Sequence, residues 1–295
     1  MKNKVALLTA VGKLEIEEQE IVYSAKSDRK VLVKMTSVGI CGSDIHYFDH
    51  GGLGSFKQPM PMPMGHEPAG VVYDIGSNCG HFKVGDRVAI EPGLSCYQCS
   101  PCHTGTHNLC DHVTFMGANA PGALAEYAIL DVDQLVKVSP LMTDDSAALM
   151  EPMGIAAHAF SLVPVGLGKD IAIIGAGPIG ICLAIYGRMM GLNCVLIDTV
   201  PYRVDFARSM GFSACSFSEA HNTTVKFAAT FDAAGTSDSF NLCTKLCAKS
   251  GVVGMIGIPT DDYISVNPHT MRVKELKIQN VRRANQTLHH CVNHF

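Results

Sequence analysis

The sequence predicts an α/β protein with two domains, a β-rich, barrel-like domain at the N-terminus and a doubly wound parallel sheet after it. Up to about residue 140, short apolar segments alternate with turn-forming residues, as in small β-barrels. After Lys169, strand-like and helix-like segments alternate instead. A chain of 295 residues is also too long for one ordinary core. We therefore expect one domain over residues 1–152 and a second over residues 153–295.

The first domain contains five strand-like segments, separated by turn signals such as Gly76-Ser77-Asn78. They cover residues 4–10, 31–38, 70–75, 86–90 and 125–130. Near its end, Asp144 or Asp145 can cap a helix that runs toward Phe160 and carries Glu151. We expect this helix to connect the two domains.

The second domain begins with an apolar run over residues 171–174, typical of a parallel strand covered on both faces. A helix should then continue to Met190, and the strand over residues 194–197 ends in Asp198. The remaining predicted strands cover residues 230–233, 252–256 and 276–281, with a weak candidate at 214–217, and the predicted helices cover residues 202–210, 240–248 and 286–295. Six strands are enough for a complete doubly wound sheet.

A glycine-rich turn, Gly175-Ala176-Gly177-Pro178-Ile179-Gly180, lies between the first strand and the first helix of this domain. In a dinucleotide-binding turn the first glycine forms the tight turn. The second lets the backbone approach the pyrophosphate, and the third lets the helix pack closely on the sheet. A plain turn is the alternative interpretation. The position between a strand and a helix favours dinucleotide binding.

Asp198 bears on the choice of dinucleotide. A carboxylate there can accept hydrogen bonds from the ribose hydroxyls and would repel a 2′-phosphate, so NAD is favoured over NADP. Arg203 could pair with a phosphate or lie over the adenine ring. The alternative for Asp198 is an ordinary turn residue after a strand.

Four cysteines lie in one loop, spaced as Cys96-x-x-Cys99-x-x-Cys102 and followed by Cys110. Four thiolates in a loop with little core of its own are typical of a structural zinc site. An iron–sulfur cluster and a nucleic-acid-binding zinc ribbon are the competing interpretations. The spacing lacks a proline after the last cysteine, and the loop carries no Lys or Arg between Cys96 and Cys110, so both are less favoured.

A second group of metal donors comes from separate parts of the chain: Cys41, His66, Glu67 and Glu151. Together they offer the sulfur, nitrogen and oxygen atoms that a catalytic zinc ion takes. Each alone is more simply a packed residue, a turn carboxylate or a charge in the first turn of a helix. Their occurrence with a nicotinamide site favours the metal, because hydride transfer from an alcohol needs a Lewis acid.

Composition limits the possible partners. The chain has 47% apolar and 17% charged residues, a formal charge of -4 and a pI near 6.3. These values argue against nucleic acid or a membrane surface as a partner. No apolar run reaches the ~18 residues of a membrane span, and the N-terminus does not resemble a signal peptide. We expect a cytoplasmic protein whose twelve cysteines are reduced or bind metal.

The motifs resemble those of the zinc-dependent medium-chain dehydrogenases, in particular the polyol branch of sorbitol and xylitol dehydrogenases. Four segments carry the resemblance: Gly39-Ile40-Cys41-Gly42-Ser43-Asp44-Ile45-His46-Tyr47 with Asp49-His50-Gly51, Gly65-His66-Glu67-Pro68-Ala69-Gly70, Val84-Gly85-Asp86-Arg87-Val88 and Met150-Glu151-Pro152. This resemblance implies a GroES-like catalytic domain followed by a Rossmann domain, and a homo-tetramer or homo-dimer.

The resemblance also implies roles for individual residues. Cys41, His66 and Glu67 would bind the catalytic zinc, with Glu151 as a ligand or a partner of the zinc-bound water. Ser43 and His46 fall where the family passes protons to solvent. The residues that match substrate contacts are Tyr47, Glu151 and Arg282. The residues that match NAD contacts are Ile179, Asp198, Arg203, Ile256, Gly257, Ile258 and Val281, beside Gly175, Gly177, Pro178 and Gly180 of the glycine-rich turn.

We therefore expect a zinc- and NAD-dependent polyol 2-dehydrogenase that oxidises a sugar alcohol to a ketose. Another zinc-dependent secondary-alcohol or threonine dehydrogenase, or a non-catalytic protein that binds NAD and zinc, is the alternative. Arg283 departs from the polyol pattern, which usually has a tyrosine there. The family normally returns to the catalytic domain after the nucleotide domain, so a chain that stops at Phe295 is expected to lack that part.

Overall fold

The computed structural model describes residues 1–24, 29–259 and 261–295. It divides into two compact units, of which the first comprises Met1–Gly154 together with Asn285–Phe295 and the second Ile155–Ala284. The last residues of the chain therefore group with the first unit, whereas the sequence placed them in the nucleotide-binding domain. Within the described residues, no helix has both the length and the apolarity needed to cross a membrane.

The described residues of the first unit form short antiparallel strands in four sheets. The largest sheet has the order β11-β3-β7-β8-β12, a second has the order β2-β1-β6, and two pairs are β4-β5 and β9-β10. The strands are β1 (Lys2–Ala10), β2 (Lys13–Glu20), β3 (Lys30–Gly39), β4 (Gly52–Leu53), β5 (Phe56–Lys57), β6 (Met62–Pro63), β7 (Glu67–Ile75), β8 (Arg87–Ile90), β9 (Gly93–Leu94), β10 (Thr114–Phe115), β11 (Tyr127–Asp131) and β12 (Leu135–Lys137). Alternate apolar residues of β3, β7 and β8, such as Val31, Val33, Val72 and Val88, form its buried core.

Helices of the first unit lie between these strands. They are α1 (Gly42–His50), α2 (Ser100–His103) and α3 (Asp144–Ala148), with 3₁₀ turns at His107–Leu109 and Val132–Gln134. The expected long helix to Phe160 is divided, because α3 ends at Ala148, with Leu149 as its C-cap, before α4 (Met150–Leu162) begins. Thr143 is the N-cap, not Asp144 or Asp145, since its hydroxyl accepts a hydrogen bond from the backbone N–H of Ser146 at 3.1 Å.

The second unit is organised around a six-stranded sheet with the order β15-β14-β13-β16-β17-β18, in which every pair of neighbours is parallel. Its strands are β13 (Asp170–Ile174), β14 (Asn193–Asp198), β15 (Ser213–Ser216), β16 (Phe227–Asp232), β17 (Cys247–Met255) and β18 (Lys277–Asn280). This unit includes α4 from Ile155 onward. Its other helices are α5 (Pro178–Met189), α6 (Pro201–Ser209), α7 (Phe217–Asn222), α8 (Ser237–Leu246) and α9 (Pro268–Lys274). The order reverses beside β13, which is the usual ligand position in such sheets.

The last helix, α10 (Leu288–His294), is attached to the first unit by hydrogen bonds just before it. The Asn285 side chain donates to the carbonyl of Gly105 at 3.0 Å, and the Thr287 hydroxyl donates to the carbonyl of Gly154 at 2.6 Å. These hydrogen bonds, together with the buried Leu288, Cys291 and Val292 of α10, attach the last residues to the first unit.

Candidate functional site

Cys41 lies at the junction of a strand and a helix. β3 ends at Gly39, and α1 begins at Gly42. The backbone N–H of Cys41 donates to the Asp44 carboxylate at 2.9 Å. A carboxylate in the first turn of a helix is favoured by the free N–H groups there. The thiol is thus held at a fixed point on the backbone, half-buried, at the start of α1.

His66 and Glu67 reach the same point from the neighbouring strand. β7 begins at Glu67, which is paired with Gly39 in antiparallel register. One donor atom each from Cys41, His66 and Glu67 lies within 4.8 Å of the others. Sequence-distant residues of the predicted zinc set are therefore brought together by the pairing of β3 with β7.

Gly39 makes this approach possible because it has no side chain. A Cβ added at this position would collide with the Glu67 carboxylate and lie 3.1 Å from the Glu67 Cβ. At Gly42, three residues after Gly39, an added Cβ would meet no atom of the described residues within 4 Å. The requirement for glycine is therefore specific to the position that faces Glu67.

Asp44 lies beside this group as well. Its Oδ1 is 3.4 Å from Nδ1 of His66, and both side chains are buried. Burial acts to lower the pKa of His66, but the neighbouring Asp44, Cys41 and Glu151 outweigh it and raise the pKa well above its ordinary value. Sequence reasoning assigned no role to Asp44, although its place three residues after a candidate ligand was a signal.

Glu151 lies in the first turn of α4 and is 5% exposed. Its carboxylate is not part of the group of donor atoms, from Cys41, His66 and Glu67, that lie within 4.8 Å of one another. Burial raises the pKa of its carboxyl to about 8, and the charges of Glu67, Glu91 and Asp44 act in the same direction against His66. In the part of the chain that the structure describes, its Oε2 is buried without a hydrogen-bond partner. An unpartnered buried oxygen, on a carboxyl that interacts electrostatically with His66 and Glu67, fits a site for a zinc ion.

The other predicted residues of this stretch lie along α1. The Ser43 hydroxyl is buried, 3.4 Å from Nε2 of His66. His46 is half-buried, and its ring stacks on that of His50 at 6.0 Å between centroids. Residues three apart are neighbours on a helix surface, so Ser43 and His46 lie side by side. Tyr47 is buried against Phe56, with ring centroids 6.1 Å apart.

Aromatic packing adds one residue that sequence reasoning missed. Phe115, at the end of β10, packs against the ring of His66 with 5.5 Å between centroids. A single aromatic residue in a two-residue strand gives no signal of this contact in the sequence.

The four loop cysteines come together at a second position. Their sulfur atoms lie within 4.8 Å of one another, with 3.5 Å between Cys99 and Cys102 and 3.8 Å between Cys99 and Cys110. Backbone N–H groups of Cys96 and His112 point at the Cys110 sulfur at 3.3 and 3.4 Å. Such donors stabilise thiolates, so the loop fits a closed tetrahedral metal site.

In the second unit, the glycine-rich turn has the geometry that the motif predicts. Gly175 has a φ of 107° directly after β13, and Gly177 is the N-cap of α5. A Cβ on Gly180 would collide with the Gly175 carbonyl, whereas one on Gly177 would meet no described atom within 4 Å. The space beside Gly177 and the free N–H groups of α5 fit a pyrophosphate.

Asp198 ends β14 beside this turn. One carboxylate oxygen accepts from the Ala176 N–H at 2.7 Å, and the other from the Val200 N–H at 2.9 Å. The Arg203 guanidinium lies 3.6 Å away and is half-exposed. Asp198 thus fixes the glycine-rich turn itself, a contact that the motif alone did not predict.

The remaining predicted cofactor residues follow β17 and β18. The turn Ile256-Gly257-Ile258 comes directly after β17, and the Val281 N–H donates to the Met255 carbonyl at 2.9 Å after β18. Arg282 and Arg283 come next in the chain and belong to the second unit.

Comparison with known proteins identifies the family. Residues 27–140 match the model described as "Alcohol dehydrogenase GroES-like domain", and residues 178–294 match "Zinc-binding dehydrogenase". The chain belongs to the zinc-binding dehydrogenases. The predicted family and fold class, a GroES-like domain and a Rossmann-like parallel sheet, are thereby confirmed.

A protein of Arthroderma otae named probable D-xylulose reductase A is 40% identical over 210 residues, which cover 70% of this chain and 58% of the relative. The chain thus spans less than two thirds of that relative's length.

The chain is also similar to solved structures. An Escherichia coli oxidoreductase/dehydrogenase of unknown specificity is 30% identical with a TM-score of 0.89, covering 99% of this chain and 87% of that one. L-idonate 5-dehydrogenase of Escherichia coli is 25% identical with a TM-score of 0.91, at 99% and 86% coverage.

Proposed function

We propose that this zinc-binding dehydrogenase is an NAD-dependent polyol 2-dehydrogenase, which oxidises a sugar alcohol of the sorbitol or xylitol type to a ketose. The observation that carries the proposal is the approach of three different donors, Cys41, His66 and Glu67, to within 4.8 Å of one another. The name of the D-xylulose reductase relative supports the substrate class, because reduction of a ketose is the reverse of oxidation of a sugar alcohol.

Cys41, His66 and Glu67 would hold the catalytic zinc, with Glu151 as a fourth ligand or a hydrogen-bond partner beside it. When bound, zinc supplies Lewis acidity toward the C2 hydroxyl, and NAD supplies an acceptor for the hydride from C2. Asp44 keeps the His66 ring in place through the contact at 3.4 Å. Burial of this group excludes water, which strengthens each charge interaction there.

Ser43 and His46 would carry the substrate proton toward solvent. The Ser43 hydroxyl lies 3.4 Å from His66 Nε2, and a hydroxyl can accept one proton while it donates another. His46 is its neighbour on α1 and is partly exposed, so its imidazole can pass the proton outward.

Tyr47 and Glu151 of the first unit would contact hydroxyls of the polyol, and the family resemblance assigns a substrate contact to Arg282 as well. Both side chains are buried in the first unit, and a phenol or a carboxyl can form a hydrogen bond with a ligand hydroxyl. Arg283, where the polyol enzymes usually have a tyrosine, would give the substrate site a more basic character or a different shape.

NAD would bind at the carboxyl ends of the parallel strands. Gly175, Gly177 and Gly180, with Pro178 and Ile179, would receive the pyrophosphate. Asp198 would accept from the adenosine ribose and Arg203 would lie beside it. The nicotinamide half would contact Ile256, Gly257, Ile258 and Val281.

The cysteine cluster would hold a structural zinc that fixes its own loop. A cytoplasmic location agrees with all twelve cysteines being free thiols. A homo-tetramer or homo-dimer is proposed from the family resemblance, and light scattering on the purified protein tests it.

The test is the reduction of NAD by the purified full chain with xylitol, sorbitol and galactitol, followed at the NADH absorbance. Cys41→Ser should abolish turnover, whereas Cys215→Ser, a half-buried cysteine of the second unit, should leave it unchanged. Chelation should remove the activity and added zinc should restore it.

Turnover of threonine or a simple secondary alcohol but none of the three polyols would replace the proposed substrate class. Turnover of no substrate, with one zinc per chain that is lost on Cys99→Ser, would indicate a non-catalytic protein.

A further inference from the structure

Asp232, the last residue of β16, is a buried carboxylate with no role in the reaction described so far. It is 1% exposed. Its Oδ1 accepts two hydrogen bonds, from the N–H of Ala234 at 3.0 Å and of Gly235 at 2.9 Å. Burial raises the pKa of this carboxyl, while those two N–H groups and Ser239 act against the rise. A buried carboxylate is costly unless such donors satisfy it.

The backbone of the same residue holds a second loop. The carbonyl of Asp232 accepts from the N–H of Ile256 and from the N–H of Gly257, each at 2.9 Å. Four backbone N–H groups from two loops therefore converge on one residue. Its side chain fixes the loop after β16, and its main chain fixes the turn after β17.

These two loops and the glycine-rich turn approach one another closely at three glycines. A Cβ on Gly175 would lie 3.0 Å from the Ala233 carbonyl carbon, and a Cβ on Gly235 would lie 2.7 Å from the Ile258 carbonyl oxygen. A Cβ on Gly257 would collide with the Gly235 nitrogen. With no side chain between them to absorb a shift, the position of the loop after β16 sets the positions of both neighbours.

We propose that Asp232 is a positioning residue for the dinucleotide. By holding Ala234 and Gly235, it keeps the glycine-rich turn and the Ile256-Gly257-Ile258 turn in one arrangement that receives the cofactor. This inference rests on the proposed NAD site and assigns to it a residue that does not itself contact the ligand. Without the carboxylate, the loop samples other conformations, and the apparent affinity falls by the fraction of time spent in the competent one.

The experiment measures NADH affinity and thermal stability of the full chain. Asp232→Ala should weaken NADH binding by about tenfold or more, since two hydrogen bonds to a buried carboxylate are lost. Asp232→Asn retains an acceptor oxygen and should restore most of the affinity.

Thr230→Val is the matched control. Thr230 lies on the same strand, is fully buried, and donates its hydroxyl to the Cys243 carbonyl at 3.2 Å. Its loss should lower the melting temperature and leave the NADH affinity within twofold of the wild type. An equal loss of affinity in Thr230→Val and Asp232→Ala would overturn the proposal, because general destabilisation would then explain both.

A second variant decides the matter if Asp232→Ala does not fold. Gly235 has a φ of 74°, and Gly235→Ala displaces the same loop against Ile258 while retaining the carboxylate. It should also weaken NADH binding about tenfold or more. Unchanged NADH affinity in either variant that folds would overturn the role of Asp232 and leave the proposed NAD site in place. Absence of NADH binding by the wild type overturns the proposed NAD site, and this inference with it.

Discussion

The Asp44 carboxylate lies 3.4 Å from the imidazole Nδ1 of His66, with both side chains buried in the first unit. The same carboxylate group accepts a hydrogen bond from the backbone of Cys41. Cys41 and His66 are thus linked through Asp44, which is not one of the three grouped donors.

Asp44→Asn should lower the zinc affinity of the Cys41 group by about 10- to 100-fold, the usual effect of removing a carboxylate that orients a metal-binding histidine. Metal analysis after dialysis should show zinc falling from two to about one per chain, because the cysteine cluster keeps its own ion. Asp49→Asn, an exposed change on the same helix, is the control. Retention of both ions by Asp44→Asn would refute the role of Asp44.

Gly39→Ala should displace the Glu67 carboxylate, because the new Cβ would occupy its place. We expect at least a tenfold loss of turnover and a changed absorption spectrum of the cobalt-substituted protein, which reports the ligand set. Gly42→Ala, where the added Cβ meets no described atom within 4 Å, should leave the spectrum unchanged. Identical spectra for the two variants would contradict the predicted crowding.

Glu151 should make the metal-free protein less stable as the pH rises. Its pKa is raised from 4.5 to about 8 in the folded state, so between these values the unfolded chain releases a proton that the folded chain retains. The free energy of unfolding therefore falls as the pH rises from 4.5 to about 8, by up to about 5 kcal/mol.

Denaturant titrations of metal-free Glu151→Gln and wild type should therefore give a gap in favour of the variant at pH 8 that closes below about pH 5. A gap independent of pH would show that Glu151 titrates normally.

Asn285→Ala should loosen the cysteine loop, because its side chain donates to the Gly105 carbonyl and accepts from the Asn108 N–H at 3.4 Å. We expect a loss of about 1–3 kcal/mol of stability and faster zinc release to a chromogenic chelator. Asn293→Ala, an exposed change on α10, should release zinc at the wild-type rate. Equal rates in all three proteins would mean that the loop does not depend on this contact.

Asp198→Ala should reduce the preference for NAD over NADP, since repulsion of a 2′-phosphate is removed. It should also weaken NADH binding by about tenfold, because the Ala176 N–H loses its acceptor. Asp205→Ala, an exposed change on α6, is the control. An unchanged ratio of NAD to NADP affinity would show that Asp198 does not select the cofactor.

Sequence reasoning succeeded where the interacting residues are close in the chain. The cysteine loop and the turn from Gly175 to Gly180 are local patterns whose chemistry follows from spacing. It failed where contacts between residues distant in the chain determine the structure. β2 was not predicted because its four glutamates are poor strand formers and its side chains are mostly exposed.

Two other features depend on contacts that the sequence does not reveal. The break at Leu149 leaves no mark in the helical pattern from Asp144 to Phe160, and the attachment of α10 to the first unit depends on hydrogen bonds from Asn285 and Thr287. The contact between Asp44 and His66 likewise needs the pairing of β3 with β7. Spacing therefore predicted candidate donors, and strand register determined which of them meet.

Diffraction data at the zinc absorption edge from crystals of the zinc-loaded protein would test the central claim most directly. We predict two anomalous peaks per chain, one among Cys41, His66 and Glu67, the other among Cys96, Cys99, Cys102 and Cys110. A single peak at the four cysteines, with none at the first group, would contradict it.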